Sequence, residues 1–600
     1  MPLPIEDAVR GVHDFASLLH LLQAELGWPV DARSTQAEAT FDWTGSDLLL
    51  SSDAARRLKD GKVSQICPFV AGQPWGIFLV EFAQEKVYTT ALRQVLRRLT
   101  PNLRQACDLP AWDRENLLFI CATKDYRRLS FVHFRGRPDD PSRAVMTAFG
   151  WEQGDTHIRT LCELNLPALR YPGDRGANAA AWVRQWQAAW DVEKVTTRFF
   201  TEYRQAFEHV EVQVQGLQPG EDRRAFTQAL FNRLLFLAFL QKKGWLNRDR
   251  RYLWALYENA TAHAPGRRAG EPTNFYSDYL QPLFFRALNT PDAQRAANGW
   301  GELAMRLGDL PYLNGGLFDP QGRWDQPGAV SIPNEALNEV LTLFGHYNFT
   351  ISESTPLDVE VAVDPEMLGR VFEELVTGRH ETGSYYTPRP IVSFMCQEAL
   401  KQYLAQALSQ GLDPGAKGAE AIARFVEEAD PAGLANPEAA LDALRRIRVC
   451  DPACGSGAYL VGMMQELLRL REALFKVKAR DAASVYQRKL EIIQRNLYGV
   501  DIDPFAVGIA MLRLWLSLVV DDTRDPVDDR TADVSLPNLK FKIQIGDSLT
   551  APSPDAADSI FLHTGYPVFA GRLHDLHEEY FKSARAPGRR PTPAIEAEID

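Results

Sequence analysis

Arg448-Val449-Cys450-Asp451-Pro452-Ala453-Cys454-Gly455-Ser456-Gly457-Ala458-Tyr459-Leu460 reads as a short apolar strand, an acid, a glycine-punctuated turn and the start of an apolar helix that runs to about Leu474. Glycines at 455 and 457 let backbone approach a ligand where any Cβ would obstruct it. A bare Gly-x-Gly after a strand fits many nucleotide sites. The acid ahead of the glycines narrows the reading, because a phosphate cradle avoids a carboxylate at the strand end. A ligand carrying positive charge suits it.

The rest of the 600 residues sets bounds on that site. With 45% hydrophobic and 24% charged residues, the composition is that of an ordinary globular chain of about three or four domains. No uninterrupted apolar stretch reaches the ~18 residues of a membrane span, and the start, Met1 to Asp7, lacks the basic and apolar regions of a signal peptide. Seven scattered cysteines argue for a reducing, cytoplasmic setting, and the absence of a Cys-x-x-Cys pair argues against structural zinc. The net charge of −12 gives no global sign of nucleic-acid binding, which depends on local basic patches.

Three regions follow from patterning, at 1–165, 166–360 and 361–600. The first is mixed α/β, with strands over Trp75–Phe82, Leu117–Thr123 and Leu129–Phe134 and a helix from Tyr88 to Leu99. The second is mainly helical, its strongest piece Arg223 to Gly244, where apolar residues recur at helical spacing and a glycine supplies the stop. The third alternates strands and helices, with 411–440, rich in Ala, Gly, Glu and Pro, expected as an insertion.

Acids recur where the third region's strands end. Leu497-Tyr498-Gly499-Val500-Asp501-Ile502-Asp503-Pro504 leads into an apolar helix, and an acid at the end of a second strand can accept both ribose hydroxyls of an adenosine. Asp503 is better placed than Asp501 to be merely a helix cap. A third strand, Leu539 to Ile545, ends in Gly546-Asp547-Ser548-Leu549, putting Asp547 within reach of an adenine amine. Upstream, Thr387 precedes a proline that can open a helix, and the plain reading of its hydroxyl is an N-cap. Three acid-tipped strand ends make an adenosine and amino-acid pocket, for which S-adenosylmethionine, with its ammonium and sulfonium, is the fitting ligand.

Gly383-Ser384-Tyr385-Tyr386-Thr387-Pro388, Asp451 to Gly457, Gly499 to Pro504 and Gly546 to Leu549 resemble motifs X, I, II and III of the N6-adenine DNA methyltransferases. The resemblance is strongest to the gamma group of type I and type IIG restriction–modification enzymes and of BREX- or DISARM-like phage-defence methylases. It implies a Rossmann-like S-adenosylmethionine methyltransferase sheet, incomplete at its carboxyl end, behind a helical spacer and an N-terminal α/β nuclease-like domain. It implies that Tyr386 and Thr387 contact the methionine part of the cofactor and that Asp451 holds its ammonium. The backbone of Ala453, Cys454, Gly455, Ser456 and Gly457 would wrap the same end. Asp501 would bind the ribose, Ile502 would pack on the adenine, and Asp547, with Leu549 beside it, would take the adenine amine. Double-stranded DNA, and other subunits of a defence system, are the implied partners, with no membrane.

The family's catalytic run, Asn or Asp, then Pro-Pro, then an aromatic, does not occur in the sequence; its one Asn-Pro is Asn436-Pro437. A base extruded for methylation needs an aromatic face to stack on and oxygens to accept from its N6 amine. The expectation is therefore a fragment or split subunit that holds the cofactor without its catalytic residues. The alternative is a DNA-binding scaffold subunit that does not methylate. Asp47 to Phe82 is similar in layout to PD-(D/E)XK nucleases, which hold magnesium through an Asp and a Glu-x-Lys. Here Glu81-Phe82-Ala83 has alanine in the lysine position and Lys86 lies further on, so an inactive nuclease-like fold is expected, with magnesium only if Asp47 and Glu81 are active. Lys242, Lys243, Arg248, Arg250 and Arg251, interleaved with Trp245, Tyr252 and Trp254, form a candidate phosphate-contacting patch.

Overall fold

The computed structural model describes residues 4–66, 74–85, 87–100, 110–136, 144–155, 158–173, 178–262, 274–290, 300–313, 317–320, 322–347, 387–409, 415–478, 484–521 and 541–550. It also describes 295, 349, 358–360, 369, 537, 539, 572, 575, 576 and 579. The chain divides into two compact units, residues 1–201 with 342–350 and 354–364, and residues 202–341 with 351–353 and 365–600.

The first unit carries a mixed sheet of seven strands in sequence order: β1 (Thr40–Thr44), β2 (Lys62–Ile66), β3 (Gly76–Glu81), β4 (Leu117–Ala122), β5 (Arg128–Gly136), β6 (Ala144–Glu152) and β7 (Asp358–Glu360). The β3–β4 and β6–β7 pairs are parallel and the others antiparallel. Every residue of β3 and β4 is buried, which is why both read as continuous apolar runs rather than alternating ones. Helix α1 (Thr89–Leu99) lays Leu92, Val95, Leu96 and Leu99 on the core of Phe78, Val80, Phe119 and Cys121, each such side chain contributing roughly 1.5–3 kcal/mol.

In the second unit, α2 (Glu221–Lys243) is buried on nearly all sides and ends at Gly244, whose φ of 82° gives the left-handed stop. Its Arg233 is fully enclosed and donates to both oxygens of Asp325 at 3.0 Å, the bidentate geometry that makes a buried charge tolerable. Arg233 also donates to the Leu317 carbonyl at 3.0 Å.

A second sheet, parallel and three-stranded in the order β10-β9-β8, is formed by β8 (Val449–Asp451), β9 (Leu497–Asp501) and β10 (Ile543–Ile545). Around it stand α3 (Arg389–Leu408), α4 (Gly415–Glu428), α5 (Pro437–Arg446), α6 (Ala458–Lys478), α7 (Val485–Asn496) and α8 (Pro504–Asp521). The third strand is shorter than its sequence predicts, because the Lys542 amide turns back to the Leu539 carbonyl at 2.8 Å and Lys542 itself lies buried over the Tyr498 ring. The described part of the supposed insertion at 411–440 is largely helical and packed: α4 buries Ile422, Phe425 and Val426, and α5 buries Ala440 and Leu444. Asn436-Pro437 is the start of α5, with Asn436 Oδ1 capping the Ala439 amide at 3.0 Å and the proline at the first helical position.

Among the described residues one helix, α8, has the length and mean hydropathy (1.6) of a membrane span, and 72% of it is buried inside the unit. It is a core helix, and Arg513 interrupts its apolar run.

Candidate cofactor site

Strands β8, β9 and β10 run in one direction, so Asp451, Asp501 and Asp547 all arrive at the carboxyl edge of the sheet, where open α/β sheets bind ligands. Asp501 is tied to the glycine turn. Its Oδ2 accepts the Gly455 amide at 2.7 Å and its Oδ1 the Asp503 amide at 2.9 Å. Hydrogen bonds to a charged acceptor contribute about 1.5–3 kcal/mol, and each oxygen keeps a second lone pair for a ligand donor. The helix cap is Asp503, which takes the Phe505 amide at 2.8 Å.

Asp451 is placed differently. Its Oδ1 accepts the Ala453 amide at 3.2 Å, while Oδ2 is enclosed and has no hydrogen-bond partner among the described residues. Burial pushes its carboxyl above the usual carboxylate value, the charge of Asp501 adds to this, and the Ala453 amide offsets part. An enclosed acid with an orphaned oxygen beside a second acid is a locus of negative potential, and a cation relieves it. The ammonium of S-adenosylmethionine therefore fits the residues present.

The turn has two faces. Gly455 has φ +50° and, among the described residues, nothing within 4 Å of where a Cβ would stand, so this face is open toward them. Gly457, at φ +80°, is pressed on α8, where a Cβ would lie 2.9 Å from Ala510 Cβ. Ser456 is buried and its carbonyl accepts from Arg513 at 2.8 Å. The Cys454 amide joins the turn to β9 through the Val500 carbonyl at 2.9 Å. Burial pushes the Cys454 thiol up to about 12, helped by Asp451 and Asp501, so it is inert as a nucleophile. Beyond the turn, Ile502 is 70% exposed and Leu549 96%, apolar side chains left in the open at the sheet edge. Ile545, 61% exposed, joins them and was missed by the sequence reading. Asp547 is exposed and accepts the Leu549 and Thr550 amides at 2.9 and 3.2 Å; bonds from Thr550 and Leu549 hold it below the usual range. Ser548 Oγ donates to the Pro452 carbonyl at 2.7 Å, joining this loop to the glycine turn.

Residues 433–552 match the family described as MmeI, DNA-methyltransferase domain. Over 338 residues the chain is 34% identical to a putative type II restriction enzyme and methyltransferase of Methanocaldococcus jannaschii, covering 55% of this chain and 27% of that protein. It is 30% identical over 125 residues to the adenine-specific methyltransferase PglX of Streptomyces coelicolor, covering 21% of this chain and 10% of that one. The chain thus spans about a quarter or less of these curated relatives. A solved structure of the type IIL restriction–modification enzyme MmeI in complex with DNA aligns at 17% identity and a TM-score of 0.38, over 61% of this chain and 41% of that one.

Upstream of the matched segment, Tyr386 lies outside the described residues and Thr387 is half-buried. Thr387 is not the cap of α3. That position belongs to Pro388, whose carbonyl takes the Ile391 and Val392 amides at 3.0 and 3.1 Å. Helix α3 crosses the start of α6 so closely that a Cβ on Gly462 would fall 2.3 Å from Val392 Cγ1.

The two acids of the nuclease-like reading have different hydrogen-bond partners. Asp47 is exposed and braces its own turn by accepting the Thr44 amide at 2.8 Å and hydroxyl at 2.7 Å. Glu81 is buried and takes Gln36 at 2.7 Å, Lys59 at 2.8 Å and Tyr126 at 3.2 Å. Lys86 lies outside the described residues. Among the described residues no group of three His, Cys, Asp or Glu is arranged to hold a metal ion. The basic patch also changes character. Lys243 donates to the Val519 and Val520 carbonyls at 2.8 Å, closing the end of α8. Trp245 and Tyr252 are core residues and present no face for stacking.

Proposed function

We propose that residues 361–600 form the cofactor-binding part of an S-adenosylmethionine-dependent N6-adenine DNA methyltransferase of a restriction–modification system. The observation that carries this reading is the acid pair: Asp501 bonded to the Gly455 amide, beside Asp451 with an enclosed oxygen that lacks a partner. When bound, the cofactor supplies an electrophilic methyl group. Asp451 would hold its ammonium, Asp501 its ribose, and Ile502 and Ile545 would give its adenine an apolar seat, with Asp547 at the amine. The open face at Gly455 would admit the methionine end. The similarity to an adenine-specific methyltransferase supports adenine as the target base, and double-stranded DNA is the substrate proposed with it.

Methyl transfer itself is assigned to an Asn-Pro-Pro-aromatic run that these 600 residues do not contain, so the chain is expected to bind the methyl donor without methylating DNA by itself. Isothermal titration of the 600-residue chain with S-adenosylmethionine tests the reading. Saturable binding that Asp501→Ala abolishes supports it, and no binding by the wild-type chain sinks it. The alternative of a non-methylating DNA scaffold is favoured by the same missing run. It gains if full-length protein binds cofactor and DNA yet transfers no methyl group.

A further inference from the structure

Arg513 is the single cation of α8 and is almost fully buried. Placing a guanidinium in a helix otherwise packed with Leu512, Leu514, Trp515 and Leu516 costs several kcal/mol in desolvation, so its contact must be worth keeping. That contact is the glycine turn. Nη1 donates to the Ser456 carbonyl at 2.8 Å and lies 3.4 Å from its hydroxyl. Ala510, one helical turn earlier, is the residue against which Gly457 presses. Asp501, at the end of the strand that leads into α8, holds the Gly455 amide. One strand–helix unit therefore grips three consecutive turn residues, 455 by an acid, 456 by an arginine and 457 by close packing.

We propose that Arg513 is a positioning residue for cofactor binding: by fixing the Ser456 carbonyl it keeps the Gly455 amide aimed at Asp501 and the open face of the turn in place. It acts through Ser456 and touches no cofactor atom itself. Nor does it work as a counter-charge to Asp451, whose carboxyl is governed by burial, the Ala453 amide and Asp501. The proposal rests on the cofactor reading above.

The test compares wild type, Arg513→Met, Arg513→Lys and Asp501→Ala in the 600-residue chain. It reads S-adenosylmethionine Kd by calorimetry and, without cofactor, hydrogen exchange in a peptide spanning 452–460. The Met variant is expected to weaken binding at least about tenfold and to speed exchange of the turn. The Lys variant, whose ammonium can still donate to the carbonyl, should recover part of both. A purely structural role would lower Tm while leaving Kd and turn exchange as in wild type, and that result overturns the proposal. If the Met variant does not fold, the Lys variant decides: values between wild type and Asp501→Ala support positioning, and wild-type values overturn it. A wild-type chain that binds no S-adenosylmethionine overturns the cofactor reading and this proposal together. A binding wild type with indifferent Arg513 variants overturns this proposal alone.

Discussion

The Asp501 carboxylate accepts the Gly455 backbone amide at 2.7 Å, across 46 residues of sequence. A single acid thereby joins the end of β9 to the turn after β8, and the loop geometry and the acid at the sheet edge become one feature. Substituting Asp501 by Asn breaks this selectively. The amide can accept from Gly455 or from Asp503, but its NH2 then faces the other N–H, leaving a donor unsatisfied at a cost of about 1–3 kcal/mol. Asp501→Asn is expected to stay folded with a Tm lower by several degrees and to lose cofactor affinity. Calorimetry and thermal unfolding of the same samples check both, and wild-type affinity in the Asn variant would remove Asp501 from the site.

Asp451 carries a pH signature. Its carboxyl is raised in the folded chain, so the native state holds that proton more tightly than the unfolded state. Its contribution to stability is present below the ordinary Asp value of about 3.9 and is lost as pH rises through the raised value. Asp503, raised mainly by burial, contributes with the same sign, while Asp42 and Asp547, held low by their hydrogen bonds, oppose it. The informative quantity is thus the difference between wild type and Asp451→Asn. In cofactor-free protein the Asn variant should lose less Tm than wild type as pH rises from 4 toward 7, on the order of the carboxylate range. S-adenosylmethionine should bind wild type more tightly over the same rise, and the Asn variant poorly throughout. Parallel Tm curves for the two proteins would refute the shift.

The sheet-edge acids, the glycine turn and the core helices were legible in the sequence because each rests on local rules: strand, turn and helix periodicity, and glycine where φ is positive. What was not legible depends on distant partners. Spacing to the next helix marks Asp503 as its cap, as found, but nothing local says that Asp501 reaches back to the Gly455 amide. Asn436-Pro437 looked like part of a loose insertion, although Asn followed by Pro also marks a helix start. Lys243 and Trp245 looked like a nucleic-acid patch because charge and aromaticity do not reveal burial; one caps α8 and the other is core. Arg513 did leave a signal, a lone cation inside an apolar helix, but its partner 57 residues away is invisible to periodicity. Asp47 and Glu81 share a spacing with nuclease acids, yet the fold gives them separate partners.

For that last reason magnesium is expected to find no site at Asp47 and Glu81. Adding millimolar MgCl2 or EDTA should leave the Tm unchanged, and no magnesium-dependent DNA cleavage is expected. Glu81→Gln should act on stability alone, because it takes a charge-assisted partner from Lys59, of which about half is solvent-exposed; the loss is roughly 1 kcal/mol. Magnesium-dependent nicking that Glu81→Gln abolishes would restore the nuclease reading.

Gly455 and Gly457 differ by two positions and should fail in opposite ways when changed to alanine. Both have positive φ, which costs a non-glycine residue roughly 1–2 kcal/mol. At Gly457 the new methyl also meets Ala510 Cβ at 2.9 Å and its backbone Cα at 3.1 Å, atoms of α8 held in place by its packing. Gly457→Ala should therefore cost about 2–4 kcal/mol in stability, and binding should weaken only as far as the turn is displaced. At Gly455 the methyl meets nothing among the described residues, so only the backbone penalty applies and the fold should survive. But that empty volume is the face through which the methionine end of the cofactor is proposed to approach. Gly455→Ala should then lose cofactor affinity by tenfold or more, about 1.4 kcal/mol, at a smaller loss of Tm than Gly457→Ala. Chemical denaturation beside calorimetry on both variants separates the two effects. If Gly455→Ala binds like wild type, the open face of the turn is not where the cofactor sits.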